Sequence, residues 1–308
     1  MELDYNLENP LPISHEFLLT DSINSLFNNE ADHMASNGYL QSLNDTSFEF
    51  TIRDKTISLI LQFSQNFDPF LSYLAINYLD RFLSCQPFSD GKPWILRLVA
   101  VSCVSLAMKM RKSESSVPCM QNDESFIFGS QTIERMELLI LGALKWRMRS
   151  ITPFCFINYF ISLFKFKDLP STQALRARAL EIILKAQNEF KLLEFKPSII
   201  AASALLSASH ELFPLQFQCF KNAILCCSHV NKDNFLICYK MMQEIALDEY
   251  ESVLEMVPSE NTPANVLDLQ YNYSSSSSSS EIEQTNASYE ATTLGLEKGL
   301  KRRKIGGL

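Results

Sequence analysis

Histidine is scarce in this 308-residue sequence, occurring only at positions 15, 33, 210 and 229 in unrelated contexts. A Gly-rich phosphate loop and a nucleophile elbow are both missing, so a catalytic role for the chain itself is not expected, and no cofactor is called for. Uninterrupted apolar runs of membrane length are missing too. The strongest candidate, WILRLVAVSCVSLAMKM, contains Arg97 and Lys109 and reads as a buried helix. No basic region followed by an apolar one opens the chain, so no secretory signal is expected; the protein is expected to be soluble and intracellular, with no membrane partner. Strand-like alternation is absent, which predicts an all-α fold. Lys and Arg are absent from residues 1 to 49, which carry nine acids.

The charge that is present is uneven. Residues 50 to 150 hold twelve basic and nine acidic side chains, and residues 151 to 256 hold ten and eleven. This near-balance argues against a nucleic-acid surface and leaves a mildly basic face for an acidic protein partner. The eight cysteines have no framework spacing and are expected to be reduced and mostly buried. Cys226, Cys227, His229 and Cys238 invite a zinc reading, but CCSHVNKDNFLIC lacks a Cys-x2-Cys knuckle, so no metal is expected.

From about residue 50 to 256 the pattern is helical, and proline marks the helix starts, because its fixed φ and missing N–H suit the first helical position. Asp68-Pro69 precedes FLSYLAINYLDRFLS, Pro93 precedes WILRLVAVSCVSLAMKM, Thr152-Pro153 precedes FCFINYFISLF, and Lys196-Pro197 precedes SIIAASALLSASHEL. Ser130 is placed to cap a further helix ending near Trp146, with Glu134 in its first turn. The short polar segment RMRSIT, residues 147 to 152, divides the helices into two bundles of roughly domain size. The chain therefore divides into an acidic segment at 1 to 20, a first helical domain with a preceding helix at 21 to 150, a second at 151 to 256, and a disordered Ser-rich tail at 257 to 308.

Four charges stand on or beside apolar helix stripes. In IERMELLILGALKW, the stripe Ile133, Met136, Ile140, Leu141, Leu144 is interrupted by Glu137. Lys109 ends a nearly continuous apolar helix, Arg53 lies in line with Ile57, Ile60 and Leu61, and Asp80 lies between Ile76 and Leu83. Burial demands pairing, and pairing ties helices together. Periodicity alone does not choose the partners.

The runs LAINYLDRFLS, PWILRLVAVSCVSLAMKM and IERMELLILGALKWRMRSITPFCFINYF, in this order and spacing, resemble the cyclin box of plant D-type cyclins. The likeness extends into LEFKPSIIAASALL and upstream to NGYLQSL, over residues 21 to 250. It implies two tandem five-helix cyclin-fold bundles, with the characteristic cyclin-box positions at Arg53, Asp80, Leu98, Lys109 and Glu137. On the same resemblance, Arg53 and Asp80 form an internal bridge, while Lys109 and Glu137 reach the surface and bond the main chain of a cyclin-dependent kinase. The implied role is a regulatory subunit that activates that kinase and promotes cell-cycle progression, at G1/S or in formative divisions, in the nucleus and cytoplasm. Cyclin-dependent-kinase inhibitor proteins are implied as further partners.

The chain departs from the family at three points. Arg111 and Lys112 stand where two acids usually follow the lysine, a reversal that bears on kinase choice. Leu59, beside Lys55 and Thr56, stands where a Trp usually forms a substrate-docking patch. No Leu-x-Cys-x-Glu string for pocket proteins occurs, the nearest being LSCQP at 83 to 87, so the chain resembles the short subgroup without that motif. The rival reading is a cyclin-fold scaffold for transcription that activates no kinase, which would need basic faces. In the tail, Lys301, Arg302, Arg303 and Lys304 form a nuclear-localisation candidate, and Thr262, Ser278 and Ser280 are phosphorylation candidates in a degradation segment.

Overall fold

The computed structural model describes residues 16–36, 38–86, 91–111, 128–166 and 168–255, with side chains from 22 to 245. Lys112, Thr262, Ser278, Ser280 and the basic cluster 301–304 lie outside the described residues. Among the described residues, eleven α-helices run in chain order: α1 Glu16–Asn29, α2 Tyr39–Asp45, α3 Ser47–Ser64, α4 Pro69–Cys85, α5 Pro93–Met110, α6 Ser130–Ala143, α7 Phe154–Leu163, α8 Leu169–Lys185, α9 Pro197–Leu212, α10 Phe217–Leu225 and α11 Lys232–Glu255. No strand occurs among the described residues.

Helices α2 to α6 enclose one apolar core and α7 to α11 a second. Each bundle is built around a central helix: α5 packs against α3, α4 and α6, and α9 against α7, α8, α10 and α11. The centres can be approached closely because both helices are rich in Ala and Ser. Some of their serine hydroxyls are satisfied within the helix, Ser102 donating to Leu98 O at 2.8 Å and Ser207 to Ser203 O at 3.0 Å. By length and composition α5 is apolar enough to cross a membrane, but most of it is buried in the first core.

The proline starts are present at Pro69, Pro93 and Pro197, and Asp68 caps α4 by accepting from Phe70 N–H at 3.0 Å. The expected Ser130 cap is not formed. Gly129 in extended conformation is the N-cap, Ser130 is the first helical residue, and the first turn holds no acid. The end of α6 also comes earlier than the stripe suggests. Lys145 (φ 52°) and Trp146 (φ 61°) adopt left-handed conformations that turn the chain out of the helix, Trp146 N–H returning to Leu141 O at 2.9 Å.

The two bundles exchange elements. Ile23 and Phe27 of α1, a helix that precedes the first bundle in sequence, are buried in the second core, and Phe27 stacks on His229 with centroids 4.3 Å apart. Conversely, Phe190 and Leu193 of the 3-10 turn Phe190–Glu194 pack against the first core, where that turn meets α2. A second clasp follows α1. Glu30, in the 3-10 turn Glu30–His33, accepts from Ser198 N–H and Ser198 Oγ, both at 2.9 Å, and so caps the start of α9 from 168 residues away.

Candidate functional site

The end of α5 leaves the core at Lys109. One turn earlier on the same helix stands Ser105, and both face α6, where Glu137 occupies the apolar stripe. Lys109 Nζ donates to Glu137 Oε2 at 2.6 Å and Oε1 at 2.8 Å, and Ser105 Oγ donates to Oε1 at 2.6 Å. The Glu137 side chain is 7% exposed and that of Lys109 58%. This corrects the expectation that both reach the surface: Glu137 is roofed by the two side chains that bond it, and only the ammonium is presented. A buried carboxylate is tolerable there because three donors meet its oxygens. Beside it, Leu138 and Leu139 of α6 are exposed.

Arg53 of α3 and Asp80 of α4 form a two-pronged bridge, Nε to Oδ1 at 2.7 Å and Nη2 to Oδ2 at 3.1 Å, with both side chains almost fully enclosed. A third donor, Arg53 Nη1, reaches Asn188 O at 2.8 Å, so this bridge also holds the chain that leads out of α8. Leu98 is buried on α5 in the same core. Burial beside the Asp80 carboxylate pushes the phenol of Tyr39 well above its ordinary range.

Residues 21–149 match the family model for the cyclin N-terminal domain and residues 151–282 that for the cyclin C-terminal domain. The chain belongs to the plant D-type cyclins. A putative cyclin-D6-1 of Arabidopsis thaliana is 45% identical over 298 residues, covering 92% of this chain and 96% of that protein. Cyclin-D6-1 of Oryza sativa is 37% identical over 221 residues, covering 70% and 68%, and Arabidopsis cyclin-D1-1 is 33% identical, covering 93% and 82%. A solved viral cyclin from herpesvirus saimiri has the same fold, with a TM-score of 0.51 at 19% identity, over 66% of this chain and 88% of that one.

Within this cyclin the departures from the family acquire physical roles. Arg111 is not a free reversed charge: it pairs with Asp68, the cap of α4, and lies over the Phe70 ring at 5.7 Å. Its cation is engaged in joining the ends of two helices. On α3, Thr56 is fully buried with its hydroxyl bonded to Ile52 O, Lys55 is exposed and Leu59 is half-buried. The four residues of the zinc reading are not gathered. His229 stacks on Phe27, Cys227 Sγ lies 3.4 Å from Tyr159 OH, and Cys238 is buried, its thiol pushed up to about 12 by desolvation.

Sequence reasoning missed Ser105, although a serine one turn before the lysine on an apolar helix is a usable signal. It also missed Glu30 and Arg81, whose partners lie far away in the chain.

Proposed function

We propose that this cyclin binds a cyclin-dependent kinase on the face formed by α5 and α6 and activates it. The reading rests on the Lys109–Glu137 pair: the carboxylate fixes an exposed ammonium by two of its N–H groups, leaving the third to a carbonyl of the partner's main chain. The exposed Leu138 and Leu139 supply apolar area beside that polar anchor.

Activation follows from differential affinity. A protein kinase transfers phosphate only when its Lys–Glu ion pair and activation loop are assembled. A stiff helical face that binds only the assembled state shifts the kinase toward it by the ratio of the two affinities. The chemistry belongs to the kinase. The reading extends to promotion of the cell cycle at G1/S or in formative divisions, to residence in nucleus and cytoplasm, and to kinase-inhibitor proteins that recognise the assembled pair.

The test is co-purification and kinase assay with wild type, Lys109→Glu and Glu137→Lys, using circular dichroism as the folding control. Wild type is expected to capture and activate the kinase, and both folded variants to lose it. Undiminished capture by both variants overturns the reading.

A further inference from the structure

Arg81 is a buried cation without an anion. It sits on α4 at 4% exposure, and its guanidinium uses Nη1 to donate to Arg147 O and Ser150 Oγ, each at 3.0 Å. No carboxylate pairs with it among the described residues, whereas Arg53 of α3 is bridged twice to Asp80, the residue before Arg81. A guanidinium carries five N–H donors, and two neutral oxygens on one nitrogen do not balance a charge withdrawn from water. Arg147, whose charge of the same sign acts against that of Arg81, is turned to Asp32 at 2.7 Å.

Arg81 lines a cavity of about 60 Å³ in the seam between the bundles, with His33, Asn77, Thr152 and Leu192 among its walls. His33 Nδ1 and Asn77 Oδ1 are buried with no partner. A space of that size holds a cluster of waters or one small oxyanion. Asp80 also faces it, but both of its oxygens are taken by Arg53. The wall therefore offers one uncompensated positive charge and an imidazole, while Asn77 Oδ1, an acceptor, suits the P–OH of a monohydrogen phosphate rather than its charged oxygens.

We propose that this seam cavity is an anion site that takes a tetrahedral oxyanion of the phosphate class, free or borne as a phosphomonoester. The anion supplies the counter-charge that Arg81 lacks, and it touches both bundles at once, since Asn77 and Arg81 come from α4 while Leu192 comes from the turn after α8. Neither the kinase nor the α5–α6 face takes part, so the site stands or falls independently of kinase binding.

The experiment uses the full chain at pH 7 with inorganic phosphate or O-phosphoserine against chloride at equal ionic strength, reading the melting temperature and the His33 ring signals by NMR. Saturable His33 shifts are expected, with a rise in Tm of roughly 3 °C at a tenfold excess over Kd. Asn77→Asp puts a carboxylate into the wall beside Arg81 and is expected to abolish both responses. A response to inorganic phosphate with a tenfold weaker one to the monoester identifies a free anion, and the reverse order identifies a phosphorylated side chain. Absence of saturable shifts with either probe overturns the proposal, as does an undiminished response in folded Asn77→Asp.

Discussion

Glu137 holds Lys109 by both carboxylate oxygens while only the lysine faces water. The asymmetry separates two kinds of variant. Glu137→Gln keeps the shape and the Ser105 contact, so it should change unfolding free energy by no more than about 1 kcal/mol, yet lower kinase affinity at least about tenfold by releasing the ammonium. Urea denaturation and a binding titration on the same preparation check both halves.

Removing Arg53 leaves a nearly enclosed carboxylate unpaired. Arg53→Met is expected to cost about 3–5 kcal/mol, and the double variant Arg53→Met, Asp80→Leu to recover part of that loss, because the second change removes the orphaned charge. Equal midpoints for the single and double variants in urea would contradict this account.

Phe27 precedes the first bundle in sequence but serves the second. Phe27→Ala should cost about 3–5 kcal/mol and should speed hydrogen exchange in α7 and in the residue 226–231 turn more than in α5. Faster exchange confined to α2–α6 would show that α1 belongs with its sequence neighbours.

The 3-10 turn after α1 carries two groups with opposite pH slopes. Burial, with Arg81 and Arg147 nearby, lowers His33 from 6.5 to about 4, Asp32 opposing. The stability it contributes is present above pH 6.5 and is lost as pH falls through 4. Glu30 is raised above 4.5 by desolvation against its Ser198 bonds, so its contribution is present below 4.5 and lost as pH rises. His33→Gln should therefore flatten the loss of stability between pH 6.5 and 4, and Glu30→Gln should steepen it, in melting curves taken across that range.

Local features of the fold were legible in the sequence, and distant ones were not. Pro69, Pro93 and Pro197 open helices because the rule acts within one turn, and the stripe from Ile133 to Leu144 faces the core because periodicity needs only the helix itself. Even locally, Ser130 lost its capping place to Gly129 because hydrogen-bond geometry, which a spacing rule does not contain, decides where the helix begins. Four misplaced charges were visible as charges needing partners, but their pairing depends on which helices meet, and only family resemblance supplied it. The pairing of Arg111 was hidden for the same reason: its partner Asp68 lies 43 residues back. The depth of Glu137 was hidden because Ser105 and Lys109 shelter it from another helix.

The barter of α1 for the 190–194 turn has a consequence for how such a gene can be edited. Severing the chain at the 150/151 junction would leave each fragment short of a wall, with Ile23 and Phe27 stranded on one piece and the residues that cover Tyr39 and Leu43 on the other. The halves are thus poor cassettes for shuffling among relatives.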